Sequence, residues 1–407
     1  MDSAPNPLIG QLRQQLQEQS TEQRLALALI PYPLRDEEKQ NIRDLCSQIT
    51  NWQEFLFWVV RHRINAMALE NLTQAHPENV PSLVWEKLKQ VKRRASLRIM
   101  QLLGQNINLS NAFAAQGIPY SILKGPVLSY QLFNRPDLRS TGDIDILIRP
   151  QEVERAEELI LSSGYQRQIP AEPLTSKQRA MYLTHFHHFT YHNPQGLYLL
   201  EVHWALREHE LISPQATDQI FQRLENISLA STRIKTLSPE DAFIFTLMQG
   251  TTDQWNCGKL FVDVLGWLRR SPDINWAQIA EIFQRERLGR IAAQTFGLVQ
   301  AIWGDATPAA IKSTLPPHPE ITPIATPAAQ ALFEKRPSVP IGRSLSRLKM
   351  LQYTLQLKPS WNYQRNIIFS LAQNSRDWHD FPLPDQLFFL YPLLRPFLWA
   401  VRRKTTP

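Results

Sequence analysis

The sequence predicts an α+β protein, a small mixed sheet set between N- and C-terminal helical regions, and three observations carry that prediction. Glycine is scarce, 14 residues against 30 prolines in 407, which disfavours a β-rich sandwich and phosphate loops built from several glycines. Apolar residues recur at three- and four-residue spacing through the first 115 residues and again after Ser213, the mark of amphipathic helices. Between them Asp143–Ile148 (DIDILI) alternates polar and apolar, as a strand with one solvent-facing side does.

Within the first helical region Trp52, Phe55, Leu56, Val59, Val60 and Ile64 form one apolar stripe. Leu97, Met100, Leu103, Ile107, Leu109 and Phe113 form another. Lys87–Leu97 carries five basic side chains and reads as a solvated helix face, with a phosphate-contacting face as the alternative. From Gly117 the texture changes. Ile118–Leu123 reads as a strand, and Gly125-Pro126 opens a helix, with Pro at a position where its missing N–H costs nothing. Gln151–Ser162 reads as a helix stopped by Gly164. His185–His192 and Leu197–Leu206, joined by Asn193-Pro194-Gln195-Gly196, read as a hairpin. Helical spacing then returns in Asp241–Met248, Leu260–Leu268 and Trp276–Phe283, and eight prolines between Pro308 and Pro340 mark a linker. The expected organisation is an N-terminal helical region (1–115), a core (116–210), a C-terminal helical region (211–305), a Pro-rich linker (306–340) and a basic aromatic tail (341–407).

Composition excludes several classes. Neither GxGxxG nor the P-loop pattern occurs, so two common nucleotide-binding fingerprints are absent. Cys46 and Cys257, the two cysteines, make neither a disulfide framework nor a four-Cys zinc site. The net charge of +7 is local: residues 331–407 hold 12 basic and 4 acidic side chains, +8, so the remainder sums to −1. Nucleic acid is therefore not the favoured partner of the core. The start, MDSAPNPLIGQLRQQLQEQS, has no basic n-region or continuous apolar run, and a cytoplasmic location is expected. Leu387–Val401 is too short and too interrupted, by Pro392, Arg395 and Pro396, for the ~20 apolar residues of a spanning helix. Trp399–Lys404 permits a weak contact with an anionic membrane surface.

Chemistry concentrates in the core. Asp143 and Asp145 lie two apart in the predicted strand, so their side chains leave one face. Carboxylates ~5 Å apart repel by roughly 3 kcal/mol at an effective dielectric of ~20, a cost that an intervening cation removes. Two carboxylates plus substrate phosphates are the usual magnesium donors. Upstream, Lys124 and Gly125 stand at a strand-to-helix turn, where unpaired N–H groups favour phosphate. Arg135 and Arg139 are placed to hold distal phosphates. Downstream, Glu201 supplies a third carboxylate, with His203 on the same strand face.

Strand, glycine turn, Asp-x-Asp and a later lone acid together resemble the uncharacterised nucleotidyltransferase family of the DNA polymerase β-like superfamily. The resemblance runs through LKGPVLSYQLF, RSTGDIDILI and EVHWAL. It extends to NWQEFLFWVVRHRINAMALENL, where a Trp precedes an Arg-His-Arg stretch, and to LFVDVLGWLRRSPDINWAQIAEIF, with its buried Asp and its Trp, so that it covers about residues 50–290. It implies a polymerase β-like nucleotidyltransferase sheet, with Gly125 positioning substrate. Asp143, Asp145 and Glu201 become metal ligands and catalytic residues, with nucleotide contacts from Lys124, Gly125, Arg135, Arg139 and His203. It also implies two Mg2+ ions as cofactors, an NTP such as ATP as substrate, and an acceptor that is a small molecule, protein or RNA. Pro126 stands where the superfamily has Ser, the spacing from Gly125 to Asp143 is longer than its norm, and no His occurs near Gln249-Gly250-Thr251. These departures motivate the alternative of a non-catalytic nucleotide-binding or adaptor protein. His185, His187, His188 and His192 suggest either cleft-facing strand histidines or a two-His metal site, His185 with His187, in a zinc hydrolase.

Overall fold

A row of β-branched and aliphatic residues on alternate positions of Asp143–Ile148 builds the centre of a seven-stranded mixed sheet. Its strands are β1 (Tyr120–Ile122), β2 (Asp143–Ile148), β3 (Gln166–Ile169), β4 (His188–His192), β5 (Leu199–His203), β6 (Glu225–Leu229) and β7 (Thr232–Thr236), in the order β3-β4-β5-β2-β1-β7-β6. The computed structural model describes residues 7–398 apart from 172, 195, 197, 208–210, 230–231, 271–273, 336–343, 372–373 and 396. The chain forms two units. The first comprises residues up to Gln105, Leu123–Gly142 and Thr236–Lys358; the second comprises Asn106–Ile122, Asp143–Lys235 and the residues from Pro359 onward.

In the second unit β2 and β5 run parallel, while β1 pairs antiparallel with β2 and β4 with β5. Ile144, Ile146, Leu200, Val202, Phe189 and Tyr191 are buried on one face. Helix Ser176–His185 contributes Tyr182, whose ring stacks 4.2 Å from Phe186 and 5.3 Å from Phe189. Trp204 closes on Phe189 at 4.8 Å, and Trp378 of helix Ser375–Asp380 reaches Tyr182 at 6.4 Å. Such edge and stacked pairs add about 0.5–1.5 kcal/mol each beyond their buried area. The part of the tail carrying Trp378 is therefore core, and Trp399–Lys404, expected at a membrane surface, lies outside the described residues. Among the described residues no helix is long and apolar enough to cross a membrane.

The sheet extends past residue 210, the expected end of the core, because β6 and β7 add two strands beyond β1. The expected strand His185–His192 begins only at His188: His185 ends the helix and Phe186 caps it. The Pro-rich stretch expected as a linker contains two helices. Ala309–Lys312 and Thr322–Phe333 are helical, and Ile321, Ile324, Ala325 and Leu332 are buried in the first unit. Prolines 308 and 323 sit at helix starts, where the absent N–H is harmless.

The first unit explains the Arg-His-Arg stretch. Helix Trp52–Arg61 buries Phe55, Trp58 and Val59, and leaves Val60 exposed. His62 caps it, stacks on Trp58, and accepts the Gly258 N–H on Nδ1 at 3.2 Å, while its carbonyl accepts the Lys259 N–H at 2.9 Å. Arg61 donates to the carbonyls of Asn256 and Ala331. Where the resemblance leads one to expect a His, Gly250 lies so close to Trp255 that a Cβ would come 2.3 Å from the indole. A side chain at Gly250 would have to displace the Trp255 ring.

Burial, and then the neighbouring Arg61 charge, push the His62 pKa down to about 3. The unfolded chain takes up this proton near pH 6.5 and the folded chain does not, so stability falls as pH drops from ~6.5 towards ~3, by about 1.4 kcal/mol per pH unit. His62→Asn keeps an acceptor near Nδ1 and removes the titration. Denaturant unfolding of both proteins at pH 7 and pH 5 should therefore show the wild type losing about 2 kcal/mol more than the variant. Equal losses would show that His62 does not set the acid sensitivity.

Candidate functional site

The registers of β2, β4 and β5 assemble the site in the second unit. Parallel pairing sets Asp145 opposite Glu201 and Leu147 opposite His203; antiparallel pairing sets Thr190 opposite Glu201 and His188 opposite His203. One face of the sheet thus carries a row Thr190–Glu201–Asp145 and beside it a row His188–His203–Leu147. Asp143, two residues before Asp145, shares this face and is half-buried. A one-residue slip of β5 would turn Glu201 and His203 into the apolar core, so the buried Leu200 and Val202 fix the polar row as firmly as any polar contact does.

His203 stands between the two carboxylates, its Nε2 3.3 Å from Asp145 Oδ1 and 3.4 Å from Glu201 Oε2. Asp145 and His203 are almost wholly buried, at 1% and 4% exposure. Burial opposes charge on His203, but hydrogen bonds to Asp145 and Glu201 outweigh it, and its pKa is raised. A protonated His203 offsets part of the carboxylate repulsion. Its neighbour His188 is pushed the other way, down to about 4, by burial and then by the charge of His203. Ligand atoms of Asp145, Glu201 and His203 all lie within 4.8 Å of one another, as do those of His187, His188 and His203.

Of the residues that the sequence suggests for the nucleotide, His203 belongs to the second unit. Lys124, Gly125, Arg135 and Arg139 all belong to the first unit. Gly125 adopts φ 78°, ψ −145°, a region that only glycine enters readily, and caps helix Pro126–Phe133. Arg135 donates to Glu70 at 2.7 Å and neighbours Asp137 at 3.5 Å. Arg139, the other arginine suggested for distal phosphates, is buried against a carboxylate. It is 1% exposed, and its Nε donates to both oxygens of Asp263, at 2.7 and 2.9 Å, on helix Lys259–Arg270. A guanidinium committed to a buried carboxylate is a structural element. His188 is the residue the sequence undervalued, because pairing His185 with His187 assumed a strand where a helix ends.

The carboxylates that the sequence resemblance implies as metal ligands thus share one face of the sheet. The chain belongs to the uncharacterised nucleotidyltransferase family, whose sequence profile matches residues 48–304. A comparison with curated proteins finds no match. Among solved structures, an antigenic nucleotidyltransferase-like protein from Paracoccidioides brasiliensis is similar at 15% identity and a TM-score of 0.32, over 53% of this chain and 97% of its own.

Proposed function

We propose that the protein is a magnesium-dependent nucleotidyltransferase that moves a nucleoside monophosphate from an NTP to an acceptor hydroxyl. The observation that carries this reading, beside family membership, is the register that sets Asp145 directly opposite Glu201, with Asp143 on the same face. Carboxylate oxygens are hard donors that suit Mg2+, and those of Asp145 and Glu201 lie within 4.8 Å of each other. Bound there with the triphosphate, magnesium would neutralise charge on the attacking and leaving oxygens.

The chain's own residues supply the rest. Asp143 and Asp145 hold the cation. Glu201, with its side chain 24% exposed, is accessible enough to accept the proton of an acceptor hydroxyl as general base. His203 donates to Asp145 and Glu201, and so fixes the orientation of their carboxylates. Lys124 and Gly125 are kept as proposed phosphate contacts on the strength of the sequence pattern alone.

The test supplies the full chain with Mg2+ and each α-labelled NTP in turn, with fractionated cell extract as the source of acceptor. Label should pass to one fraction with equimolar release of pyrophosphate. Binding of NTP in the presence of Mg2+, with no pyrophosphate released in any fraction, would instead assign the chain to the non-catalytic, nucleotide-binding alternative.

A further inference from the structure

The histidines beside the carboxylates form a second donor set of different chemistry. His187 lies just ahead of β4, its carbonyl pinned by the Trp204 N–H at 3.0 Å. That residue breaks the strand alternation, so His187 and His188 turn their rings to the same place: Nε2 of His187 is 3.0 Å from Nδ1 of His188. Ring centroids are 4.3 Å apart for His187 and His188, 4.9 Å for His188 and His203, and 5.3 Å for His187 and His203. His187 and His203 are each only 4% exposed.

Two features distinguish this cluster from histidines that merely hydrogen-bond in a cleft. Nδ1 of His203 is buried and has no hydrogen-bond partner among the described residues, whereas Nε2 is directed to Asp145 and Glu201. A carboxylate on one ring nitrogen, leaving the other for coordination, is the usual outer-shell pattern of metal-bound histidine. The separations also suit a metal. Tetrahedral zinc with Zn–N of ~2.0–2.1 Å places its ligand atoms ~3.3 Å apart. The 3.0 Å between His187 and His188 requires only a small opening to reach that spacing.

We propose that His187, His188 and a ring nitrogen of His203 bind a borderline divalent transition-metal cation, Zn2+ in the first instance, beside the carboxylate row. Imidazole nitrogen suits such ions, whereas Mg2+ prefers oxygen and keeps its waters. Three protein nitrogens leave a fourth position for water or a substrate atom. The site goes beyond the proposed nucleotidyl transfer and stands or falls without it.

The test titrates chelator-treated full-length protein with ZnCl2 by calorimetry, in millimolar Mg2+ and without nucleotide. One zinc per chain is expected. His187→Ala and His188→Ala should each weaken binding by more than the ~10–100-fold that loss of an outer-shell partner costs. His379→Ala, on the exposed end of helix Ser375–Asp380, should leave it unchanged. Circular dichroism checks that each variant folds. Should an alanine variant unfold, Co2+ added to the wild type decides, through the intense visible absorption of a tetrahedral nitrogen site. Absence of stoichiometric zinc, unchanged zinc binding in folded His187→Ala and His188→Ala, or a wild-type cobalt spectrum lacking that absorption would overturn the proposal.

Discussion

Asp145→Asn is expected to lower nucleotide transfer by ~100-fold or more, since it removes a charge that holds the proposed cation, and even outer-shell losses cost ~10–100-fold. Its effect on stability should be small. Asn keeps the shape of the side chain and an oxygen for His203, whose Nε2 lies 3.3 Å away. Loss of the negative charge weakens the attraction to His203, but it also relieves the repulsion between Asp145 and Glu201. The variant should therefore melt within a few degrees of the wild type while pyrophosphate release falls to background. His203 reports independently: with one carboxylate neutralised, its raised pKa should fall towards the ordinary value, read by NMR of the imidazole protons. Retained transfer with Mg2+ and labelled NTP in folded Asp145→Asn would remove Asp145 from the catalytic set, whatever the titration shows.

The parts legible in the sequence were those with a strong period or strong local chemistry. The alternation of Asp143–Ile148 marks a strand with the same bounds as β2. Pro126 after Gly125 marks the start of a helix that runs to Phe133. The pairing of Asp145 with Glu201 was only half legible: period two puts each carboxylate on a face, but nothing local says that β2 and β5 are parallel neighbours. The strands missed are those in which burial is thin. Gln166–Ile169 forms the edge strand β3 and has no buried residue, so no apolar alternation exists to be read. β6 and β7 bury only Leu229, Ile234 and Thr236, enough to suggest alternation in Thr232–Thr236 but overshadowed by the helical spacing that follows. The carboxylate beside Arg139 was hidden for a related reason. Asp263 is distant in sequence, and a buried ion pair leaves no local trace. Four residues before Asp143, an arginine looks like a phosphate contact until the structure supplies its carboxylate.

That pair carries the largest expected effect on stability. Arg139 and Asp263 are 0% and 2% exposed in their side chains, and the loop backbone is tied down as well, with the Arg139 N–H donating to Ser129 Oγ, which itself donates to the Arg135 carbonyl. Asp263→Ala strands a guanidinium that cannot deprotonate, and breaking a buried pair by removing one partner costs about 3–5 kcal/mol. For a unit of this size the melting temperature should drop by roughly 6–20 °C. Replacing both partners together, Arg139→Met with Asp263→Leu, removes the desolvation cost along with the attraction, and much of the loss should be recovered. A structural pair and a phosphate contact differ in this double replacement. If Arg139 served the nucleotide, the double variant would regain stability and still bind NTP poorly. If its role is the pair with Asp263, the double variant should regain both, and calorimetric NTP titration of that variant against the wild type decides between the two.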